Sequence, residues 1–319
     1  LFDGVLLEFL YNNFIGEALL YVLRWFYSFL NDYAWAIILV TILIKVVLLP
    51  LDLKQRASSA KMAAVSSQVE DIKKRYANNQ ELANKKVNEF YQKNKIKPSA
   101  GCLPMLLTMI FLFAFYGALR TIVTEQTISL LLEGVKNGAE NVDLPNWLWI
   151  HNIFQPDAGH QPIFPTAQNF MTFIQTNSAS INPQMFNLMR DANLLTFADG
   201  AMTVNETVYN TLTTEIIAAN GLTGFNNGWF GLPIIAGGTL FLQQFITSKT
   251  NPTMNNQPGG KMMMYFFPIF SAYICLTTNA CFALYWTMSN VVGIVVHLVY
   301  TAIQKAKKNR EPVTIDSIR

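Results

Sequence analysis

Apolar residues in this chain gather into long runs, with the polar residues collected between them. The run that organises the rest is 34–51, AWAIILVTILIKVVLLPL, broken by one lysine, Lys45. Crossing the hydrocarbon core takes about 20 mostly apolar residues. With Asn31, Asp32 and Tyr33 in front, the run predicts a span over 31–51. Further apolar runs predict spans over 101–123, 229–248, 263–278 and 279–303. Residues 1–30 alternate large apolar groups (Val5, Leu6, Phe9, Trp25, Phe26) with Glu8, Asn12, Glu17 and Arg24 at roughly helical spacing. That pattern predicts an amphipathic helix lying in the membrane interface. A short span from Phe14 to Leu30 is the rival, at the cost of immersing Glu17 and Arg24.

The segments between the runs sort by charge. Block 52–100 is rich in Lys and Arg, including Lys54, Arg56, Lys61, Lys73, Lys74 and Arg75. Within it Met62, Val65, Val69, Ile72 and Tyr76 recur at three and four residues, then Ala83, Val87 and Phe90 resume after a break at 77–80. Two antiparallel helices joined by a short turn are predicted, on the cytoplasmic side by the positive-inside rule. The segment 124–228 reverses the balance, with many acidic residues against Lys136 and Arg190 alone, so it is expected outside. Helical pieces are predicted there over 169–175, 184–195 and 206–219, but no motif with chemistry. Segment 249–262 reads as a flexible cytoplasmic loop, and the basic tail 304–319 as cytoplasmic. An all-α polytopic membrane protein follows, N-terminus outside and C-terminus inside. Arg120, near the far end of the second run, is expected to snorkel to the interface.

Composition narrows this little further. The chain is 51% hydrophobic and only 13% charged, against about a quarter charged for soluble domains. Cys102, Cys275 and Cys281 lie in or beside apolar runs, without metal-ligand spacing, so no metal or cofactor is expected. The chain opens at Leu1 rather than Met, which leaves room for an upstream signal already removed.

Candidate chemistry rests on the polar residues inside the runs. A lysine at the centre of a span costs on the order of 2.5 to 3.5 kcal/mol on insertion scales, so Lys45 is expected to face protein or water. Snorkelling toward Asp52, two turns on, is the bland reading. Thr41 shares its face. Thr239, Gln243 and Thr247 form a second stripe with Gln244 beside it, and Trp286, Asn290, Gly293 and His297 form a third. Interhelical hydrogen bonding explains such residues singly. A lone lysine facing several neutral stripes points instead to a wet, positively charged cavity.

The stretches KVVLLPLDLKQRASSAKM, KPSAGCLPMLL, GTLFLQQ, MMMYFFPIF and ALYW with Asn290 four residues on resemble the YidC/Oxa1/Alb3 membrane protein insertases. The resemblance covers approximately 30–123 and 229–303. It implies a five-transmembrane-helix insertase core, an N-terminal interfacial helix and a cytoplasmic helical hairpin. It further implies a hydrophilic groove whose basic residue, usually Arg, is Lys45 here, with Thr41, Thr108, Gln243, Gln244, Trp286 and Asn290 as groove residues. Thr108 stands where the family usually has Gln, and Ile110 where it has Pro. Asn279 and Cys281 replace a common Pro and Gly, and the insert 124–228 is long for the family.

The implied activity is non-enzymatic: inserting nascent membrane proteins into the bilayer of the bacterial plasma membrane. The partners are those clients, membrane lipid, the ribosome and the Sec translocon, with no sequence-specific nucleic acid. A transporter or channel using Lys45 as an ion site is the main alternative, and a protease pairing it with Ser271 or Ser289 lacks any nucleophile motif.

Overall fold

A computed structural model describes residues 14–96, 103–178, 181–198, 201–250 and 262–310. The first half of the expected interfacial helix, the 251–261 loop and the tail beyond 310 lie outside the described residues. The chain is mostly helical: α1 (Phe14–Leu30), α2 (Tyr33–Ala64), α3 (Ser66–Arg75), α4 (Gln80–Lys93), α5 (Leu103–Asn137), α6 (Ala167–Thr176), α7 (Pro183–Asp191), α8 (Glu206–Ala219), α9 (Gly231–Thr250), α10 (Phe267–Thr277) and α11 (Ala280–Arg310). One antiparallel hairpin, β1 (Leu195–Ala198) and β2 (Ala201–Val204), was not foreseen; Leu195 pairs with Val204 and Ala198 with Ala201. Two described stretches, Tyr33–Met62 and Ala280–Lys307, are long and apolar enough to cross a membrane, and Met262–Thr277 is a shorter apolar helix.

Local chemistry sets the helix ends. Asn31 adopts a left-handed φ of 50° and closes α1, a conformation Asn tolerates better than most residues. Asp32 then caps α2, its Oδ1 accepting from Ala34 N at 2.8 Å and Trp35 N at 3.2 Å. Asn79 caps α4, Asn182 caps α7 with Pro183 at the first position, and Asn205 caps α8. Asn279 accepts from Phe282 N at 3.0 Å and caps α11. Here a cap replaces the resembled family's usual proline. The helix carrying the first apolar run continues through Pro50 to Ala64, so no break separates it from the start of the basic block.

Two compact units divide the chain. One comprises Leu1–Val40, Ile110–Gly237 and Phe270–Thr287. Its core includes Leu23, Ile37, Phe115, Leu119, Ile128, Leu131, Ile150, Ile153 and Phe170, all fully or almost fully buried. The 124–228 segment is thus folded around a packed interior. Tyr209 stacks on Phe170 at 4.9 Å, donates to Pro165 O at 2.8 Å, and is buried enough to push its phenol well above the usual range. Arg24 binds both carboxylate oxygens of Glu125, at 2.7 and 2.6 Å. Arg120 does not snorkel alone: it donates to Asn177 Oδ1 and, at 2.6 Å, to Thr176 O at the end of α6.

Asp157 is the hub of this unit. Its buried carboxylate accepts from Trp229 N (3.0 Å), Phe230 N (3.2 Å), Leu232 N (2.6 Å) and Trp149 Nε1 (3.0 Å). The first-turn N–H groups of a helix have no partner within the helix, and a carboxylate suits the positive end of its dipole. Asp157 therefore caps α9 from a loop more than 70 residues away in sequence. Gly228 allows the approach, because a methyl group there would overlap Asp157 Oδ1. The same loop serves α11: Gln155 O accepts from Ala280 N at 2.9 Å and Ile153 O from Cys281 N at 3.0 Å. Buried Asn152 and Asn227 close it with reciprocal bonds of 2.7 and 2.8 Å.

The other unit comprises Thr41–Met109, Gly238–Ile269 and Met288–Arg319. It holds the α3–α4 pair, joined through 76–79, with Val69, Ala83 and Val87 buried.

Replacing Asp157 by Ala leaves four donors, that of Leu232 fully buried, without this acceptor and is expected to cost about 3 kcal/mol. Asp157→Asn keeps one acceptor oxygen and should cost less. Denaturant unfolding in detergent, followed by tryptophan fluorescence, measures both; a neutral Asp157→Ala would refute the capping role.

Candidate functional site

The expected site residues fall on α2, α5, α9 and α11. Thr41 is fully buried on α2. Lys45, one turn on, is half-buried, and the charged groups whose fields reach it are Asp52 and Arg56. Among the described residues no ion pair closes on Lys45; Asp52 pairs instead with Arg56, Nε to Oδ2 at 2.9 Å. Gln243 and Gln244 are half-buried on α9, and Asn290 is buried on α11. Thr108 lies in α5, and its side chain is outside the described residues.

The stripes on α9 and α11 meet. Asn290 Nδ2 donates to Thr239 Oγ1 at 3.3 Å. One turn along, Gly293 leaves room for the Gln243 amide, which a methyl group at 293 would overlap. These contacts bring Thr239, Gln243, Asn290 and Gly293 together. Trp286 belongs to the other compact unit. Its indole N–H is buried with no hydrogen-bond partner among the described residues, as are the hydroxyls of Thr127, Ser271 and Thr287.

A second cluster was missed. Arg56 Nη1 lies 2.7 Å from His297 Nδ1, joining α2 to α11. A guanidinium is only a donor, so Nδ1 accepts and the imidazole proton sits on Nε2. The Arg56 side chain is only 16% exposed, although its place in a basic block predicts a solvated face. The available signal was the Asp52–Arg56 spacing of four residues just after Pro50, combined with His297 closing the α11 stripe. The described residues hold no group of three or more His, Cys, Asp or Glu able to bind a metal.

Comparison with known proteins places this arrangement. The family model described as 60Kd inner membrane protein matches residues 25–208 and 201–308. The chain is similar to the membrane protein insertase YidC of Fusobacterium nucleatum, 32% identical over 179 residues, which is 56% of this chain and 78% of the relative. It is also similar to the proteins of that name from Leptospira interrogans, 24% identical over 298 residues, and Wolinella succinogenes, 23% over 302. Those alignments take in 92% and 94% of this chain but only 35% and 39% of the relatives, so the chain spans little more than a third of their length.

Gly293→Ala should cost about 1–2 kcal/mol, because the Gln243 amide must leave its place against α11. In a Gln243→Ala background the penalty should largely vanish. A double-mutant cycle by thermal unfolding in detergent reads the coupling; strictly additive effects would show that the two side chains do not compete for one space.

Proposed function

This chain belongs to the 60Kd inner membrane protein family, and we propose that it inserts nascent membrane proteins from the cytoplasm into the lipid bilayer. The observation that carries this reading is the polar seam inside apolar helices. Thr239, Gln243 and Asn290 sit against one another between α9 and α11, and the same compact unit holds Thr41 and Lys45. Hydrocarbon offers no hydrogen bonds, so such groups are retained at a cost unless protein or water meets them.

The polar outer segment of a client enters a groove lined by these residues, with Thr108 and Gln244 among them. Lys45, as an ammonium, attracts acidic side chains on that segment and lowers the cost of bringing them into the membrane interior. The apolar helix of the client moves along the spans into lipid, gaining transfer free energy as it leaves. The membrane potential assists acidic segments moving outward by about 2.3 kcal/mol per charge per 100 mV. In this reading five spans carry the core over 31–51, 101–123, 229–248, 263–278 and 279–303. Basic 52–100 and the tail face the cytoplasm, with the ribosome and Sec translocon as partners. The insert 124–228 lies outside.

Arg never supplies a neutral form in a protein, so it separates a charge mechanism from one needing a free amine. Lys45→Arg is expected to retain insertion, while Lys45→Gln, similar in length but neutral, should impair clients with acidic outer segments most. Insertion of a matched client pair, with and without acidic residues, is measured for all three proteins in the same vesicles. Loss of activity in folded Lys45→Arg, with Lys45→Gln like the parent, refutes the charge mechanism.

The α3–α4 pair buries only Val69, Ala83 and Val87, a seam too small to hold the rest of the fold together. Replacing 66–93 by a short flexible linker is expected to leave a folded protein with insertion lost, read by unfolding in detergent and client insertion in vesicles. Full insertion by that variant would show the pair to be dispensable.

A further inference from the structure

Between Asp143 and Asp157 the chain carries no Asp, Glu, Lys or Arg, yet this stretch belongs to a segment otherwise rich in acidic groups. Within it Trp147 and Ile150 exchange two backbone hydrogen bonds, each 2.9 Å, and close a two-residue turn with Leu148 and Trp149 at its tip. Leu148 holds a left-handed φ of 52° and is 72% exposed. Asn or Gly is the ordinary choice at such a position, since a bulky side chain strains the backbone there. A leucine that is strained and unpacked contributes little to the fold.

Its surroundings say what it meets. The Trp147 and Trp149 rings lie 6.3 Å apart, and Trp149 lies 5.3 Å from Trp229, itself 60% exposed. Trp229 directly precedes α9, whose exposed side chains Ile234, Ile235, Phe241, Leu242 and Phe245 continue along the helix. Asp157 fixes the register between the loop and the helix, through Trp149 Nε1 on one side and the first N–H groups of α9 on the other. The loop tip is thereby tied to the start of α9, where Ile234 and Ile235 are exposed.

We propose that Trp147–Trp149 is a membrane wedge: Leu148 dips into the acyl boundary of the outer leaflet while Trp147, Trp149 and Trp229 occupy the headgroup layer. Tryptophan suits that layer because its ring is apolar and its N–H is polar. The wedge holds the 124–228 segment down on the bilayer at the start of α9. It needs α9 to lie in the membrane, as the proposed function does, but not insertase activity.

The test reads depth. The full chain, with Cys102, Cys275 and Cys281 replaced by alanine, is reconstituted in phosphatidylcholine–phosphatidylglycerol vesicles with an environment-sensitive fluorophore on Leu148→Cys. Parallel samples carry it on Leu242→Cys, within α9, and on Leu188→Cys, 53% exposed on α7. Position 148 is expected to emit to the blue of position 188, to be quenched by nitroxide-bearing lipid and to be shielded from aqueous iodide. Lipid quenching at 242 with iodide quenching at 148 overturns the wedge alone. Shielding of 148 from both quenchers marks a protein occupant and also overturns it. Absence of lipid quenching at 242 removes the spanning role of α9 and the wedge with it. Leu148→Asn, suited to the left-handed turn, should keep or raise stability in detergent while weakening quenching of the tryptophans by lipid nitroxide; lower stability would show that Leu148 packs in the fold.

Discussion

The first N–H groups of a helix have no partner within it, and for α9 the answer is one buried carboxylate. Asp157 receives Trp229, Phe230 and Leu232 N–H together with the Trp149 indole. The arrangement works only because the loop bearing Asp157 is itself satisfied by the Asn152–Asn227 exchange. Its neighbours Ile153 and Gln155 lend carbonyls to the start of α11. The segment between α5 and α9 is therefore not an appendage at its root. It supplies acceptors and donors that two long apolar helices need in order to start where they do.

The other compact unit solves a related problem with side chains. Polar groups on α9 and α11 are spent on one another, Asn290 on Thr239 and Gln243 in the space over Gly293. Near the end of α2, Asp52, Arg56 and His297 form a short chain of contacts in which each group has a partner. Lys45 lies within the field of that chain without an ion pair of its own among the described residues.

Much of the helical framework was legible because membrane helices leave a strong mark. The apolar runs predicted the positions that α2, α5, α9, α10 and α11 occupy, and Asn or Asp residues mark the starts of α4, α7, α8 and α11. The runs did not show where helices end. α2 continues to Ala64 and α5 to Asn137, since Lys, Arg, Glu and Gln propagate a helix well once its apolar part has begun. The β1–β2 hairpin escaped notice because four-residue strands carry too few alternations to read. Position along the run marks Arg120 as an end-of-span anchor, whereas α6 brings Asn177 and the Thr176 carbonyl to it.

The sequence by itself determined the class of protein, its helical runs, the family resemblance that the comparisons bear out, and the three polar stripes. Each follows from local composition or from spacing along one helix, where 3.6 residues per turn converts position into face. Tertiary structure alone decided which stripes touch, that Arg56 meets His297, and that Asp157 caps a helix more than 70 residues further along the chain. Those are pairings between residues distant in sequence. A carboxylate in an acidic loop looks the same on paper whether water or a helix N-terminus will meet it, and only the packed fold makes that choice.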